Sequence, residues 1–404
     1  MFCRHRCLCI VYFVSCAVLT GMYYFMKHKR SAYTIPMDFD FREPRLFIHD
    51  LIHRTKIGKD GARELLEKEM MDKCMYDLYV HLAEKGIVNP SNQSLESLRQ
   101  MKETKVAELE NEKQRDAENE SHIKEIDRKI AEFYCQTMDI KKGFEWTTRI
   151  MRDDVSLSFR MDVFLCRIRM GIIMGNKKII EESAVEAMDA CERGCDWDRR
   201  NRFKVYNGLL CLMRGKFDEA GIMLSDSLPS YDADEAMDYW RAVRYVIFCG
   251  ALTFERPDLL KRILQNADVV GNNEEEGMRI IRSLHECHYS NFMKELCAFC
   301  RIINDDVFVG KYVNMFCREM KLRVYGQILE SYRSMHIEKM AEALGLGVEY
   351  VEKDLGEFII EERLWSRIDR IERVIEMKER SSMDVSSVIN EGSDVIRRIK
   401  RFVK

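Results

Sequence analysis

Three chain breaks, at Gly175, Gly215 and Pro257, fall roughly 40 residues apart in a stretch that otherwise reads as helix. That period is the length of a helical hairpin, and one hairpin is too thin to bury its own apolar face. Such units must stack, each covering the next. In one unit Phe203, Tyr206, Leu209, Leu210 and Met213 share a face of the first helix, Gly215 ends it, and Phe217, Ala220 and Leu224 open the second. The small Ala220 lets the two helices approach closely. Breakers are scarce elsewhere: 404 residues hold 5 Pro and 20 Gly, too few for a turn-rich sandwich or barrel. The hydrophobic share of 46% supplies a sizeable core, and the charged share of 33% suits the solvated faces of amphipathic helices.

The expected fold is mainly α: a tetratricopeptide-like solenoid of helical hairpins, then a winged-helix module and a C-terminal helix. Residues 1–36 form an apolar N-terminal segment. Residues 37–130 hold N-terminal helices, short ones over 38–88, then Asn89-Pro90, then one long charged helix over 95–132. Residues 131–305 form the repeat array. Residues 306–378 form the winged-helix part. There KLRVYGQILESY and residues 336–344 are helices, Gly345-Leu346-Gly347 turns the chain, 348–363 is a third helix, and LWSRI and RVIEM pair as strands. A last helix, 384–404, spaces Val388, Val395 and Ile399 near heptad intervals and reads as a seam for a partner helix.

A winged helix raises nucleic-acid binding, which needs a basic recognition helix. The third helix instead carries Glu349, Glu352, Asp354, Glu357, Glu361 and Glu362 against Lys353 and Arg363. Net charge is -3 over the whole chain, so no nucleic acid is expected as a partner. A protein-docking winged helix remains.

His49-Asp50-Leu51-Ile52-His53 sets two imidazoles one helical turn apart, as in zinc proteases, but the position of the catalytic Glu holds Asp50, whose shorter arm misplaces the base. His285, Cys287, His288, Cys297 and Cys300 look like a zinc cluster, yet no Gly or Pro forms a knuckle and the apolar rhythm is helical. Cys166, Cys211 and Cys249 lie on apolar helical faces and read as buried hydrophobes. No phosphate-binding glycine loop and no Gly-x-Ser-x-Gly elbow appear. The expectation is no enzyme, no metal, no cofactor and no small-molecule substrate. The loop Gly194–Arg202 places Trp197 between two acids and ahead of Arg199, Arg200 and Arg202. Either a local ion-pair network or a docking surface accounts for it.

GCDWDRRNRFKVYNGL, AMDYWRAVRYVIF, SLHECHYSNF and QILESYRSMHIEKMAEALGLGVEYVEKDL resemble the PCI-domain lid subunits of the 26S proteasome regulatory particle. The resemblance is strongest from about Trp197 to Met377. It implies a non-catalytic scaffold that helps position the lid's deubiquitinating metalloprotease for ubiquitin-dependent degradation, in cytoplasm and nucleus. Implied partners are the other PCI subunits and that metalloprotease, with the ATPase ring and core particle reached indirectly. Carried over by position, Glu330, Tyr332, Arg333, Met340, Leu344, Val348, Val351, Leu355, Leu364 and Ile368 face neighbouring subunits, and Val388, Val395 and Ile399 enter a helical bundle. Residues 7–26 depart from the family. They are uncharged, long enough to span a bilayer and flanked by Arg4, Arg6, Lys27, Lys29 and Arg30. Met37 opens family-like sequence, so the expectation is that 1–36 are a mis-extended start or a dispensable addition, with no membrane partner. The alternatives are a PCI scaffold of the COP9 signalosome or a translation initiation factor, and a membrane-anchored helical adaptor.

Overall fold

The computed structural model describes residues 41–377, apart from 90–91, 116–118, 153–154 and 272–274. The apolar segment 1–36 and the helix expected over 384–404 lie outside the described residues, and Val388, Val395 and Ile399 with them. Helices dominate, as the scarcity of breakers requires. The chain begins with α1 (Phe47–Ile57), α2 (Ala62–Asp72) and α3 (Tyr76–Glu84).

The long helix expected over 95–132 is two helices, α4 (Asn92–Arg115) and α5 (Glu120–Gln136). Asn119 caps α5, its side chain accepting from the His122 amide. The helices run antiparallel, shown by ion pairs from Lys113 to Asp127 and from Lys102 to Asp139. The broken apolar stripe is therefore folded back on itself. Leu109, Ile126, Ile130 and Tyr134 form one buried cluster, with Val106, Phe133 and Trp146 against it.

The array continues through α6 (Ile140–Ile150), α7 (Leu157–Met174), α8 (Lys177–Glu192), α9 (Trp197–Arg214), α10 (Phe217–Ser227) and α11 (Tyr239–Thr253). Short α12 (Arg256–Leu259), a π turn over Leu260–Leu264 and α13 (Ala267–Val270) lead to α14 (Glu275–His285) and α15 (Tyr289–Asn304). Gly175 and Gly215 end α7 and α9 at φ 74° and 81°, the left-handed cap that glycine takes without strain. Pro257 starts a helix rather than ending one, within the first turn of α12.

Within the α7–α8 and α9–α10 hairpins a glycine on the first helix admits a side chain from the second. A Cβ on Gly171 would stand 2.8 Å from Ile180, and one on Gly208 2.8 Å from Leu224. Helices α7, α9 and α11 bury residues nearly all round, as inner helices must. The segment from Pro44 to Asp50 lies against α7 and α11. Arg169 donates to the Pro44 carbonyl at 2.8 Å, and Arg241 bridges Asp50 at 3.0 Å and Asp306 at 2.9 Å.

The chain ends its described part in α16 (Val313–Glu330), β1 (Ser334–His336), α17 (Ile337–Leu344), α18 (Val348–Ile360), β2 (Ser366–Asp369) and β3 (Val374–Met377). The sheet order is β1-β3-β2, antiparallel throughout, with Met335 opposite Ile375 and Ile368 opposite Ile375. This is the expected winged helix with one strand added. β1 is three residues long, too short for its alternation to show in the sequence.

Candidate functional site

The winged-helix module is fused to the array by α16. Phe316 on that helix stacks on Phe248 of α11 at 4.7 Å between centroids and meets Phe299 of α15 at 5.7 Å. Arg323 donates to the carbonyls of Ala251 and Phe254, holding α16 on the end of α11. The module therefore moves with the solenoid.

Helix α18 is locked to α16 by a polar core. The Asp354 carboxylate, 9% exposed, accepts from Lys321 at 2.6 Å and from the Tyr325 hydroxyl at 2.8 Å. Burial works against the Lys321 ammonium, but hydrogen bonds to Asp354 and Tyr350 hold its pKa above the ordinary value. Burial raises the Tyr325 phenol, and Asp354 raises it further. Two outer pairs extend the lock. Arg363 grips Glu319 through both forks at 2.6 Å, and Arg318 pairs with Glu361. Two of the third helix's six acids, Asp354 and Glu361, thus fasten it to α16, while Glu349, Glu357 and Glu362 remain exposed.

The residues carried over as an interface separate into two sets. Glu330, Tyr332 and Arg333 are exposed where α16 meets β1, and Val348 and Ile368 are half-buried. Met340, Leu344, Val351 and Leu355 are buried at 0%, and Leu364 at 7%. Those five pack the module's own core rather than lying on its surface. Two short helices and a small sheet have one apolar stripe each, and the module spends those stripes on its own core.

The exposed apolar groups of the module are others: Tyr332 at 53%, Tyr350, Ile360, Trp365 and, at 94%, Ile371. Ile371 sits in the turn between β2 and β3, the wing tip. Its amide donates to Asp369 at 2.8 Å, so that turn is ordered rather than loose. Four of these were missed. The available signal was a large apolar residue inside a charged turn, Asp369-Arg370-Ile371-Glu372. Among the described residues only β3 is paired on both sides, so β1 and β2 each have one edge without a described partner strand.

The Gly194–Arg202 loop divides too. Arg202, 5% exposed, lies between Asp162 at 3.3 Å, Asp232 at 2.9 Å and Glu235 at 3.8 Å. Burial lowers its pKa, yet Glu235, Asp232 and Asp162 together raise it above the ordinary guanidinium value. Arg199 also reaches Asp162, and Arg200 donates to the Cys195 carbonyl at 2.7 Å. These arginines form the local network. Trp197 stays 65% exposed at the start of α9.

His49 and Asp50 of the protease-like pair are structural in part: His49 stacks on Phe308, and Asp50 is held by Arg54 and Arg241. Cys297 is exposed, and Cys300 is half-buried on the same helix. Cys166, Cys211 and Cys249 are buried, as their helical faces require.

A family model described as "26S proteasome subunit RPN7" matches residues 91–262, and one described as "PCI domain" matches residues 293–379. The first covers α4 to the π turn, and the second runs from α15 through β3. The chain is 28% identical to the 26S proteasome non-ATPase regulatory subunit 6 of Dictyostelium discoideum, over 89% of this chain and 96% of that protein. It is 26% identical to the 26S proteasome regulatory subunit rpn7 of Schizosaccharomyces pombe, over 84% and 89%. It is 21% identical to COP9 signalosome complex subunit 2 of the same yeast, over only 41% and 38%.

Proposed function

The chain belongs to the family of 26S proteasome RPN7 subunits with a PCI domain, and from that premise we propose that it is a non-catalytic scaffold of the regulatory-particle lid. The carrying observation is the winged-helix module. It packs on the array through Phe316 and Arg323, it leaves one edge each of β1 and β2 unpaired among the described residues, and it exposes Tyr332, Trp365 and Ile371. Open edges and large exposed apolar groups are what a subunit needs when sister modules pair with it side by side. Through those contacts it would help to set the lid's deubiquitinating metalloprotease over the ATPase ring. The relatives named as non-ATPase regulatory subunits support a role without turnover. Cytoplasm and nucleus are the compartments proposed.

The test is purification of the tagged full chain from cells, with mass spectrometry of what travels with it. Lid subunits, ATPases and proteolytic core subunits are expected. Signalosome subunits in their place would move the chain to that complex, which the shorter likeness to COP9 signalosome complex subunit 2 makes the specific rival. Recovery from carbonate-washed membranes, without proteasome subunits, would favour the anchored adaptor. Among the described residues no helix is long and apolar enough to cross a membrane.

A further inference from the structure

Helix α16, which carries the winged module, meets the array helix α15 at a pair of thiols. Cys300 lies on α15 and Cys317 on α16, and both are half-buried. Phe299 and Phe316, one position earlier on each helix, have ring centroids 5.7 Å apart, so the two helices touch at this level. There the Cys300 thiol donates a hydrogen bond to Cys317. The other close cysteine pairs among the described residues are poorly placed to react. Cys135 and Cys166 are both buried at 0%, beyond the reach of a solute. Cys191 and Cys195 stand 3.9 Å apart, but burial and the adjoining Cys195 push the Cys191 thiol up to about 12, so little thiolate forms.

We propose that Cys300 and Cys317 are a redox modification site, closed into a disulfide between α15 and α16 by a hydroperoxide and reopened by a dithiol. In the first step the Cys317 thiolate attacks one peroxide oxygen. An S–O bond forms, the O–O bond breaks, and the departing oxygen takes up a proton to leave as water or an alcohol. Cys317 is then a sulfenic acid. In the second step the Cys300 sulfur attacks the Cys317 sulfur. The S–S bond forms, the S–O bond breaks, and the Cys300 proton leaves with the hydroxyl as water. The two sulfurs lose two electrons and the peroxide gains them. A dithiol returns two electrons and two protons and becomes a disulfide itself. The closed bond would tie the array to the helix that carries the winged module, beside the stack of Phe316 on Phe248.

The surroundings divide the roles. The hydrogen bond from Cys300 lowers the Cys317 thiol to about 6, with Lys321 one turn on helping and burial and Asp354 opposing. The same contact, together with burial, raises Cys300 well above the ordinary thiol value, so it keeps its proton. Cys317 is therefore the sulfur that attacks peroxide, and Cys300 the one that resolves the sulfenic acid. Cys297, one turn before Cys300 on the same helix, is the more exposed thiol and serves as the internal control. Exposure alone would favour Cys297; the paired geometry favours Cys317.

The tagged full chain is treated with hydrogen peroxide, blocked with iodoacetamide and cut with trypsin without reductant. A bond between peptides 295–301 and 312–318 is expected, with fragment ions placing it on Cys300 rather than Cys297, and it should vanish after dithiothreitol. Peroxide should consume Cys317 about tenfold faster than Cys297. In Cys300→Ser the sulfenic acid on Cys317 has no resolving partner, so dimedone should label Cys317 more strongly than in the parent. In Cys317→Ser, Cys300 should stay reduced at the dose that closes the parent pair. Serine fits both half-buried positions, and the cross-linked peptide of the parent decides the matter even where a variant folds poorly. No bond between the two peptides at a dose that oxidises Cys297, or a bond from Cys297 in place of Cys300, overturns the site.

Discussion

His49 packs its ring on Phe308 with 5.5 Å between centroids, and its low pKa of about 4 makes it acid-sensitive. Unfolded, the imidazole has its ordinary pKa of 6.5. Below pH 6.5 the unfolded chain binds a proton that the folded chain refuses, so stability falls as pH drops through 6.5 toward 4. At pH 5 the loss is roughly 2 kcal/mol. His49→Phe keeps a ring against Phe308 and removes the proton. Urea denaturation in anion-poor buffer should show it losing less stability than the parent between pH 7 and pH 5, and equal losses would assign the acid sensitivity to other groups. Arg202 offers the opposite test. Arg202→Ala leaves Asp162 with Arg199 and Glu235 with Tyr206 and Arg169, both acids 2% exposed, and should cost about 3 kcal/mol. Trp197→Ala, at the same loop but exposed, should stay within about 0.5 kcal/mol. The sequence offered network and docking surface as equal readings of this loop. The structure places the arginines in the network and leaves the tryptophan exposed. A carboxylate such as Asp162, 40 or so residues away, cannot be paired with Arg202 by spacing alone.

Helix pairs decide the next scale, and glycine is the residue that measures their approach. Gly208 faces Leu224, whose side chain would lie 2.8 Å from an added Cβ. Gly208→Ala should therefore destabilise by about 1–3 kcal/mol through overpacking. Gly326, in the middle of α16, has nothing within 4 Å of an added Cβ, and Gly326→Ala should stabilise by about 0.5–1 kcal/mol by lowering the entropy of the unfolded chain. Thermal melts of the two variants should shift in opposite directions. Elements with strong punctuation were legible in the sequence. Gly175 and Gly215 marked the ends of α7 and α9, and Gly345 the end of α17. Elements whose ends are marked only by a polar run were not. The α4–α5 reversal hides in charged sequence that any solvated helix could carry, and its one local signal is Asn119, a capping residue. β1 exists because β3 is there to pair with it, which is tertiary information.

At the scale of the whole molecule, the same pattern of apolar residues must serve two ends: holding the winged module together and offering it to partners. Sequence periodicity reports that a side chain is on the apolar face, not which side of that face is covered by the chain itself. That is why Met340 and Leu355 read as interface and prove to be core, while Ile371, outside any periodic run, is the most exposed large apolar residue of the wing. The two roles separate by experiment. Met340→Ala removes a side chain buried at 0% and should cost about 2–5 kcal/mol, lowering the amount of folded chain and, with it, of every complex containing it. Trp365→Asp with Ile371→Asp places charge on groups 58% and 94% exposed, so the melting temperature should move little. A charge desolvated at a protein contact is expensive, however. The double variant should therefore fail to co-purify with lid subunits while remaining folded. Quantitative mass spectrometry of tagged parent and variants, normalised to the soluble bait, reads both effects at once. Undiminished recovery of lid subunits with the double Asp variant would remove the wing from the docking surface, leaving the exposed ridge Glu330, Tyr332 and Arg333, beside the edge of β1 that has no described partner strand, to carry the contact.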